Sequence, residues 1–374
     1  MIQQLLQSIG DTPLIELMNC VKPTEGKLLV KYERFNPGGS IKDRPAIHII
    51  EEAERRGWLQ PGGTIIESSS GNFGISLAMI GAVKGYHVII LADPKTTSAN
   101  LALLRAYGAE VIIVTEQDDS GSYHKTRIAL ANKLAKEITN SFRPDQCFSL
   151  LNGEAHYRST AREIVEACGG QIHTLIAPVS TGGQLGGIAK YLKEHVAEVN
   201  IIAVDAEGST IFGGEAHPYR IPGVGLSWTP VNLKLEHIDR VYKASDREAF
   251  VTARAMARYE GLLMGPSSGA SILVALKLAQ QLQAGARVIC MASDGGERYI
   301  DTLYNDEWMS EQGFEPVKHI EELRAIAREL EPWSVQPRDC NNDQHNLEEM
   351  LDIPHSTQTI NAELLEDGNI TYKK

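Results

Sequence analysis

Basic charge is scarce in this sequence of 374 residues: 36 Lys and Arg stand against 48 Asp and Glu, a formal net charge of -12. That balance disfavours a general nucleic-acid or acidic-membrane binder, since both need a basic footprint. It leaves small anions open, because backbone amides and helix termini hold them locally. Cysteine is also sparse. Cys20, Cys147, Cys168, Cys290 and Cys340 are scattered without a CxxC pair, so neither a zinc site nor a disulfide framework is signalled. No metal is expected. The start, Met1 to Leu6, lacks the basic head and apolar stretch of a secretory leader. Long hydrophobic runs are missing too. Gly74 to Ala92 is broken by Lys84, Gly85 and His87, and reads as a buried helix followed by a buried strand. No Walker motif and no GxGxxG spacing is present, which disfavours a nucleotide. The expectation is a cytoplasmic protein with reduced thiols and neither nucleic acid nor membrane as partner.

What is there is ordinary for a soluble globular protein: 43% hydrophobic and 22% charged residues. The length suggests two domains and an appendage. Strand, small-residue turn and amphipathic helix recur. Strands are predicted at Lys27–Tyr32, Thr64–Glu67, His87–Ala92, Glu110–Thr115, Thr174–Val179, Asn200–Val204 and Arg287–Ala292. Helices are predicted at Ile41–Arg56, Ile75–Val83, Thr97–Tyr107, Ser122–Ile138, Tyr157–Cys168, Ile188–Val196, Asp246–Glu260, Ala270–Leu282 and Ile320–Leu330. The alternation predicts an α/β protein with two open, mainly parallel twisted sheets covered by helices, and a cleft between the halves. The expected division is 1–150, 151–313 and an extension, 314–374, whose polar and acidic end from Gln336 reads as partly disordered or laid over the surface.

Four strand-to-helix loops hold candidate chemistry, because in open parallel sheets ligands bind at the strand ends. Ser180-Thr181-Gly182-Gly183-Gln184 can cradle a phosphate with backbone amides and hydroxyls; it can equally be a tight turn with no ligand. Ser69-Ser70-Gly71-Asn72-Phe73-Gly74 suits a carboxylate, and Asn72 can donate to a phenolate oxygen; serine capping of a helix is the plainer reading. Lys42 follows Ser40 in a first helical turn, where a cation is disfavoured. A lysine is ordinarily a solvated charge, but one held as an imine gains there, and desolvation makes it a nucleophile. Ser267, in Gly265-Pro266-Ser267-Ser268-Gly269, is either a cap or a hydroxyl partner for a pyridine nitrogen.

In this order and spacing, Gly10-Asp11-Thr12-Pro13-Leu14, Asn36-Pro37-Gly38-Gly39-Ser40-Ile41-Lys42-Asp43-Arg44, Ser69-Ser70-Gly71-Asn72, Ser180-Thr181-Gly182-Gly183 and Pro266-Ser267-Ser268-Gly269 resemble the signature of the cysteine synthase and cystathionine β-synthase family. The likeness covers about residues 5–310. It implies the tryptophan synthase β-like, fold-type II architecture, with pyridoxal 5'-phosphate in the inter-domain cleft. It implies that Lys42 carries the cofactor as an imine and is the catalytic base and acid. By the same resemblance Asn72 contacts the cofactor's phenolate oxygen, Ser180, Thr181, Gly182, Gly183 and Gln184 hold its phosphate, and Ser267 bonds its ring nitrogen. Gly223-Val224-Gly225 resembles the glycine loop beside the cofactor. Ser69, Ser70, Asn72 and Phe73 fall in the loop that closes on the substrate carboxylate. A homodimer with amino-acid substrates is the family expectation.

The reaction so implied is β-replacement on an activated serine. Val204-Asp205-Ala206-Glu207-Gly208-Ser209-Thr210-Ile211-Phe212-Gly213 is similar to a branch that joins O-phospho-L-serine to L-glutamate. Its product, N-(2-amino-2-carboxyethyl)-L-glutamate, leads to 2,3-diaminopropionate in siderophore formation. Asp93-Pro94-Lys95 and Asp294 to Tyr299 fit that branch as well. The alternative is a cysteine synthase using O-acetylserine or O-phosphoserine with sulfide. Two departures from the common pattern stand out. Phe148-Ser149-Leu150-Leu151-Asn152-Gly153 lacks the glutamine of many cysteine synthases, and Phe73 replaces a common threonine, either narrowing the pocket or packing. His217, Arg220 and Lys234 are candidate anion ligands or ordinary surface residues.

Overall fold

The computed structural model describes residues 4–118, 123–335, 361–364 and 370–373. In chain order the strands are β1 (Leu14–Glu16), β2 (Lys27–Tyr32), β3 (Thr64–Glu67), β4 (His87–Ala92), β5 (Glu110–Val114), β6 (Ser141–Phe142), β7 (Thr174–Pro178), β8 (Asn200–Ala206), β9 (Arg240–Ala244), β10 (Arg287–Ala292), β11 (Pro332–Trp333), β12 (Asn361–Leu364) and β13 (Ile370–Lys373). The helices are α1 (Asp43–Arg55), α2 (Asn72–Lys84), α3 (Ser98–Ala106), α4 (His124–Glu137), α5 (Leu151–Arg158), α6 (Thr160–Cys168), α7 (Gly183–His195), α8 (Asp246–Glu260), α9 (Pro266–Gln281), α10 (Asp306–Glu311) and α11 (Ile320–Glu329).

The described residues form two compact units, one drawn from Met1–Arg44 and Leu150–Arg338, the other from Pro45–Ser149 and Asp339–Lys374. The first holds a seven-stranded sheet of order β1-β2-β10-β7-β8-β9-β11. Strands β2, β10, β7, β8 and β9 run parallel; β1 and β11 are antiparallel edges. Alternate residues fill opposite faces. Leu28, Val30, Ile176, Ile202, Val204, Val288 and Cys290 join one core, with Leu175, Ala177, Ile201, Ala203, Ile289 and Met291 in the other. This two-faced burial explains strands without polar alternation. Each fully buried Ile, Leu or Val contributes about 1.5–3 kcal/mol.

The second unit has the order β12-β13-β5-β4-β3-β6, with β3, β4, β5 and β6 parallel. Ile66, Ile89, Leu91, Ile112 and Val114 pack with Leu130 and Ala131 of α4.

Three expectations differ from what is found. The first unit is not continuous in sequence. β2 hydrogen-bonds along its length to β10, Arg287 to Ala292 against Lys27 to Tyr32, so the first 44 residues complete a sheet whose other strands follow residue 150. The helix read over Tyr157–Cys168 is two helices. They break at Ser159 (φ -119°, ψ -76°), whose hydroxyl donates back to the Ala155 carbonyl at 2.7 Å. The stretch after Phe314 is not wholly separate, since α11 and β11 pack into the first unit, β11 pairing with β9. The expectation for Gln336 onward lies outside the described residues, apart from β12 and β13. Among the described residues no helix is long and apolar enough to cross a membrane.

Candidate active site

The C-terminal ends of β2, β10, β7 and β8 lie side by side on one edge of the seven-stranded sheet. Each strand feeds a loop rich in small or hydroxylated residues, as ligand sites in such sheets require.

β2 leads through a short 3-10 turn, Glu33–Phe35, into Asn36–Lys42. A buried ionic cluster holds this segment from below. Arg44 pairs with Glu33 at 2.6 Å and with Glu163 at 2.5 Å, and Lys31 reaches Glu163 at 2.6 Å. Thr12 donates to Glu33 at 2.6 Å, and Asn36 donates to the same carboxylate at 2.8 Å. Burial raises the Glu163 carboxyl, but the Arg44 and Lys31 contacts outweigh it and bring it to about 2. The loop itself is fixed by the Gly38 amide donating to Asp43 and by Arg298 donating to the Gly38 carbonyl. Lys42 sits just before α1, one residue outside the helix that the sequence extended to Ile41. It is half-buried, and its amide donates to the Ser40 hydroxyl at 3.2 Å.

β7 ends at Pro178, and Gly182, at φ +77°, turns the chain into α7. The positive φ suits glycine. A Cβ on Gly183 would land on the Asn152 amide, so this turn stays bare of side chains. Thr181 accepts from Asn152 Nδ2 at 3.1 Å. The buried Gln184 Nε2 has no hydrogen-bond partner among the described residues. Free amides of the first helical turn, the helix dipole and this donor together suit a phosphate dianion.

Ser267 is the second residue of α9, behind Gly265 as cap and Pro266 as first residue, and is buried. Sequence reading began this helix at Ala270; the proline at its first position explains the earlier start.

The residue that sequence reading missed is Ser293, just past β10. Its carbonyl accepts from the Ile41 amide at 2.8 Å. Its amide donates to Ser268 Oγ at 3.0 Å, and its hydroxyl donates to Gln184 Oε1 at 3.1 Å. One residue therefore ties the Lys42 loop, the Ser267 helix and the Gln184 loop together. Lys42, Ser180 to Gln184 and Ser267 all lie in this unit. Gly223 does too, but a Cβ there would meet open space; the crowded position is Gly225, at φ +82°, against Tyr219 and Ser209. His217, Arg220 and Lys234 are exposed.

In the second unit β3 runs into Ser68–Gly71 and α2. Ser69 Oγ accepts from the Gly74 amide at 3.3 Å and from Gln146 Nε2 at 3.2 Å. Asn100 donates to the Ser70 carbonyl at 3.1 Å, and Arg127, paired with Asp93 at 3.2 Å, donates to Ser70 Oγ at 3.5 Å. Asn72 opens α2, half-buried. Phe73 is 1% exposed, so its ring packs in the interior. Residues 148–153 hold no glutamine, but Gln146, two residues earlier, is the one bonded to Ser69 of this loop. Below lies a buried cluster of Glu67, Arg143 and Asp145, with Arg143 Nη1 at 2.8 Å from Asp145. Burial raises the Glu67 carboxyl, while it lowers His124 to about 4, helped by Arg127 and Arg143.

The first unit's donor set fits a phosphorylated pyridine aldehyde: a lysine amine, a side-chain-free helix start with a spare amide donor, and a buried hydroxyl. Among the described residues no cluster suited to a metal is present. The chain belongs to the pyridoxal-phosphate dependent enzymes, whose family model matches residues 5–294. It is 40% identical over 321 residues to cystathionine beta-synthase of Oryctolagus cuniculus, covering 84% of this chain and 58% of that protein. The chain thus spans under two thirds of that relative's length. An O-acetylserine dependent cystathionine beta-synthase from Helicobacter pylori matches with a TM-score of 0.74 and 34% identity, over 81% of this chain and 98% of that one. A cysteine synthase from Entamoeba histolytica matches with a TM-score of 0.79 and 33% identity, over 88% and 96%. The cofactor is pyridoxal phosphate, and within the family the likeness is to β-replacement enzymes of the cysteine synthase and cystathionine β-synthase kind.

Proposed function

We propose that the enzyme replaces the β-substituent of O-phospho-L-serine with the amine of L-glutamate, giving N-(2-amino-2-carboxyethyl)-L-glutamate and phosphate. The observation that carries the catalytic part is Ser293, whose three hydrogen bonds join the Lys42 loop to the Gln184 loop and the Ser267 helix. The preference for glutamate rests on the Val204–Gly213 segment, which lies at the end of β8 and is bonded to the Gly223–Leu226 loop through Ser209.

Lys42 Nζ holds the cofactor between turnovers. The Lys42 amine would take the α-proton of the substrate and return it after the nucleophile has added. Gly183, Gln184 and the start of α7 neutralise the cofactor phosphate, with Ser180 and Thr181 as hydroxyl partners. Ser267, buried at the start of α9, would offer a neutral hydroxyl to the ring nitrogen. Asn72 would serve the phenolate oxygen, and Ser69 and Ser70, held by Gln146, Asn100 and Arg127, would receive the substrate carboxylate. When bound, the cofactor supplies an electron sink for the pair released at the α-carbon. The bond from the β-carbon to oxygen breaks with its electron pair leaving on phosphate, and the glutamate nitrogen bonds to that carbon and gives up a proton to solvent.

A second reading, sulfide as nucleophile with O-acetylserine or O-phosphoserine, is favoured by the likeness to a cysteine synthase. Incubation with O-phosphoserine and glutamate is expected to release phosphate in step with the amine-linked product. Brisk cysteine formation from sulfide with no glutamate product would refute the first reading.

A further inference from the structure

Lys243 lies in β9, beside the end of β8, and is buried. Its ammonium donates to the carbonyls of Ser209 at 2.7 Å and Gly213 at 2.8 Å. It also sits 4.2 Å from the centre of the Trp333 ring. A buried ammonium is costly unless its donors are met. Here two carbonyls and an aromatic face meet them. Trp333 adds a third tie, its Nε1 donating to the Phe212 carbonyl at 3.1 Å. Two side chains, one of them from the short edge strand β11, thus grip three carbonyls of a single loop.

That loop is fastened on its other side to the glycine loop. Ser209 Oγ donates to the Leu226 carbonyl and accepts from the Leu226 amide, both at 3.2 Å. The Thr210 amide donates to the same carbonyl at 3.0 Å. Gly225 in turn donates to Val179, one residue before Ser180, at 2.8 Å. A side chain on Gly225 would collide with Tyr219 and Ser209, so the two loops touch with no slack.

We infer that Lys243 and Trp333 are positioning residues for nucleophile selection, acting by clamping Ser209–Gly213 against Gly223–Leu226. The inference rests on the reading that the Asp205–Gly213 segment selects the second substrate. Neither residue touches the reacting atoms. Lys243→Met keeps the length of the side chain and removes the charge and its donors. Trp333→Phe keeps an aromatic face and removes only the Nε1 donor.

The test uses the full-length holoenzyme and measures KM separately for O-phosphoserine and for each nucleophile, L-glutamate and sulfide. For Lys243→Met the KM for glutamate is expected to rise about tenfold or more, since two charged hydrogen bonds to buried carbonyls are lost. The KM for O-phosphoserine is expected to stay within about twofold. Trp333→Phe should move the glutamate value in the same direction by about threefold, the effect of one neutral hydrogen bond. This milder variant carries the test if Lys243→Met does not fold. Equal changes in both KM values, or no change in either, would overturn the inference. If the wild-type enzyme accepts only sulfide, the glutamate reading fails by itself. The clamp is then judged on the sulfide KM, which must still shift against a constant O-phosphoserine KM.

Discussion

Ser293→Ala isolates the hub of the candidate site. The backbone bonds to Ile41 and Ser268 survive, because they use the amide and carbonyl of residue 293. Only the hydroxyl bond to Gln184 Oε1, 3.1 Å long, is removed. A neutral hydrogen bond of this kind contributes about 0.5–1.5 kcal/mol, and a buried acceptor left unmet costs about 1–3 kcal/mol. Gln184 can turn and recover part of this, so a net loss of about 1–2 kcal/mol is expected. If Gln184 helps to hold the cofactor phosphate, that loss appears in cofactor affinity, about a 5- to 30-fold weakening. The assay is a titration of the apoenzyme with pyridoxal phosphate, read by absorbance, beside a thermal melt of the apoenzyme. An unchanged affinity with a lowered melting temperature would refute the reasoning. The hydroxyl would then serve only the fold.

Lys42→Ala should bind the cofactor without covalent attachment and lose at least about a thousandfold in turnover, measured by phosphate release. Glu163→Gln leaves Arg44 and Lys31 short of a carboxylate and should destabilise the protein by about 3–5 kcal/mol in urea unfolding. In the wild type, the Glu163 carboxyl sits at about 2 against an ordinary 4.5. Because the folded value is the lower one, its stabilisation is present above pH 4.5 and is lost as the pH falls towards 2. The loss is about 3 kcal/mol, and the variant should lack this part of the acid profile. Gly183→Ala drives a methyl group into Asn152. It should cost about 1–3 kcal/mol in a thermal melt and weaken cofactor binding.

Much of the frame was legible because parallel strands buried on both faces are written as apolar runs. β2, β3, β4 and β10 begin and end where those runs do. The loops were legible as strand-to-helix turns from their glycines and serines, while their proposed ligands rest on the order and spacing of several motifs together. β9 was not: Arg240 and Lys243 interrupt it, and Lys243 is buried only because carbonyls from another loop receive it. β11 is two residues long, too short for any period. The partnership of Arg44 with Glu163 spans 119 positions and leaves no local pattern. Ser293 works largely through its backbone, which no side-chain motif records. Gln146 reaches Ser69 across 77 positions, so no local pattern marks it.

Everything proposed for the reaction depends on Lys42 carrying the cofactor. The direct measurement is borohydride reduction of the holoenzyme, followed by proteolysis and mass spectrometry of the lysine-containing peptides. A single pyridoxyl modification, on Lys42, is expected. The same label on another lysine, or none while the cofactor remains bound, would contradict it.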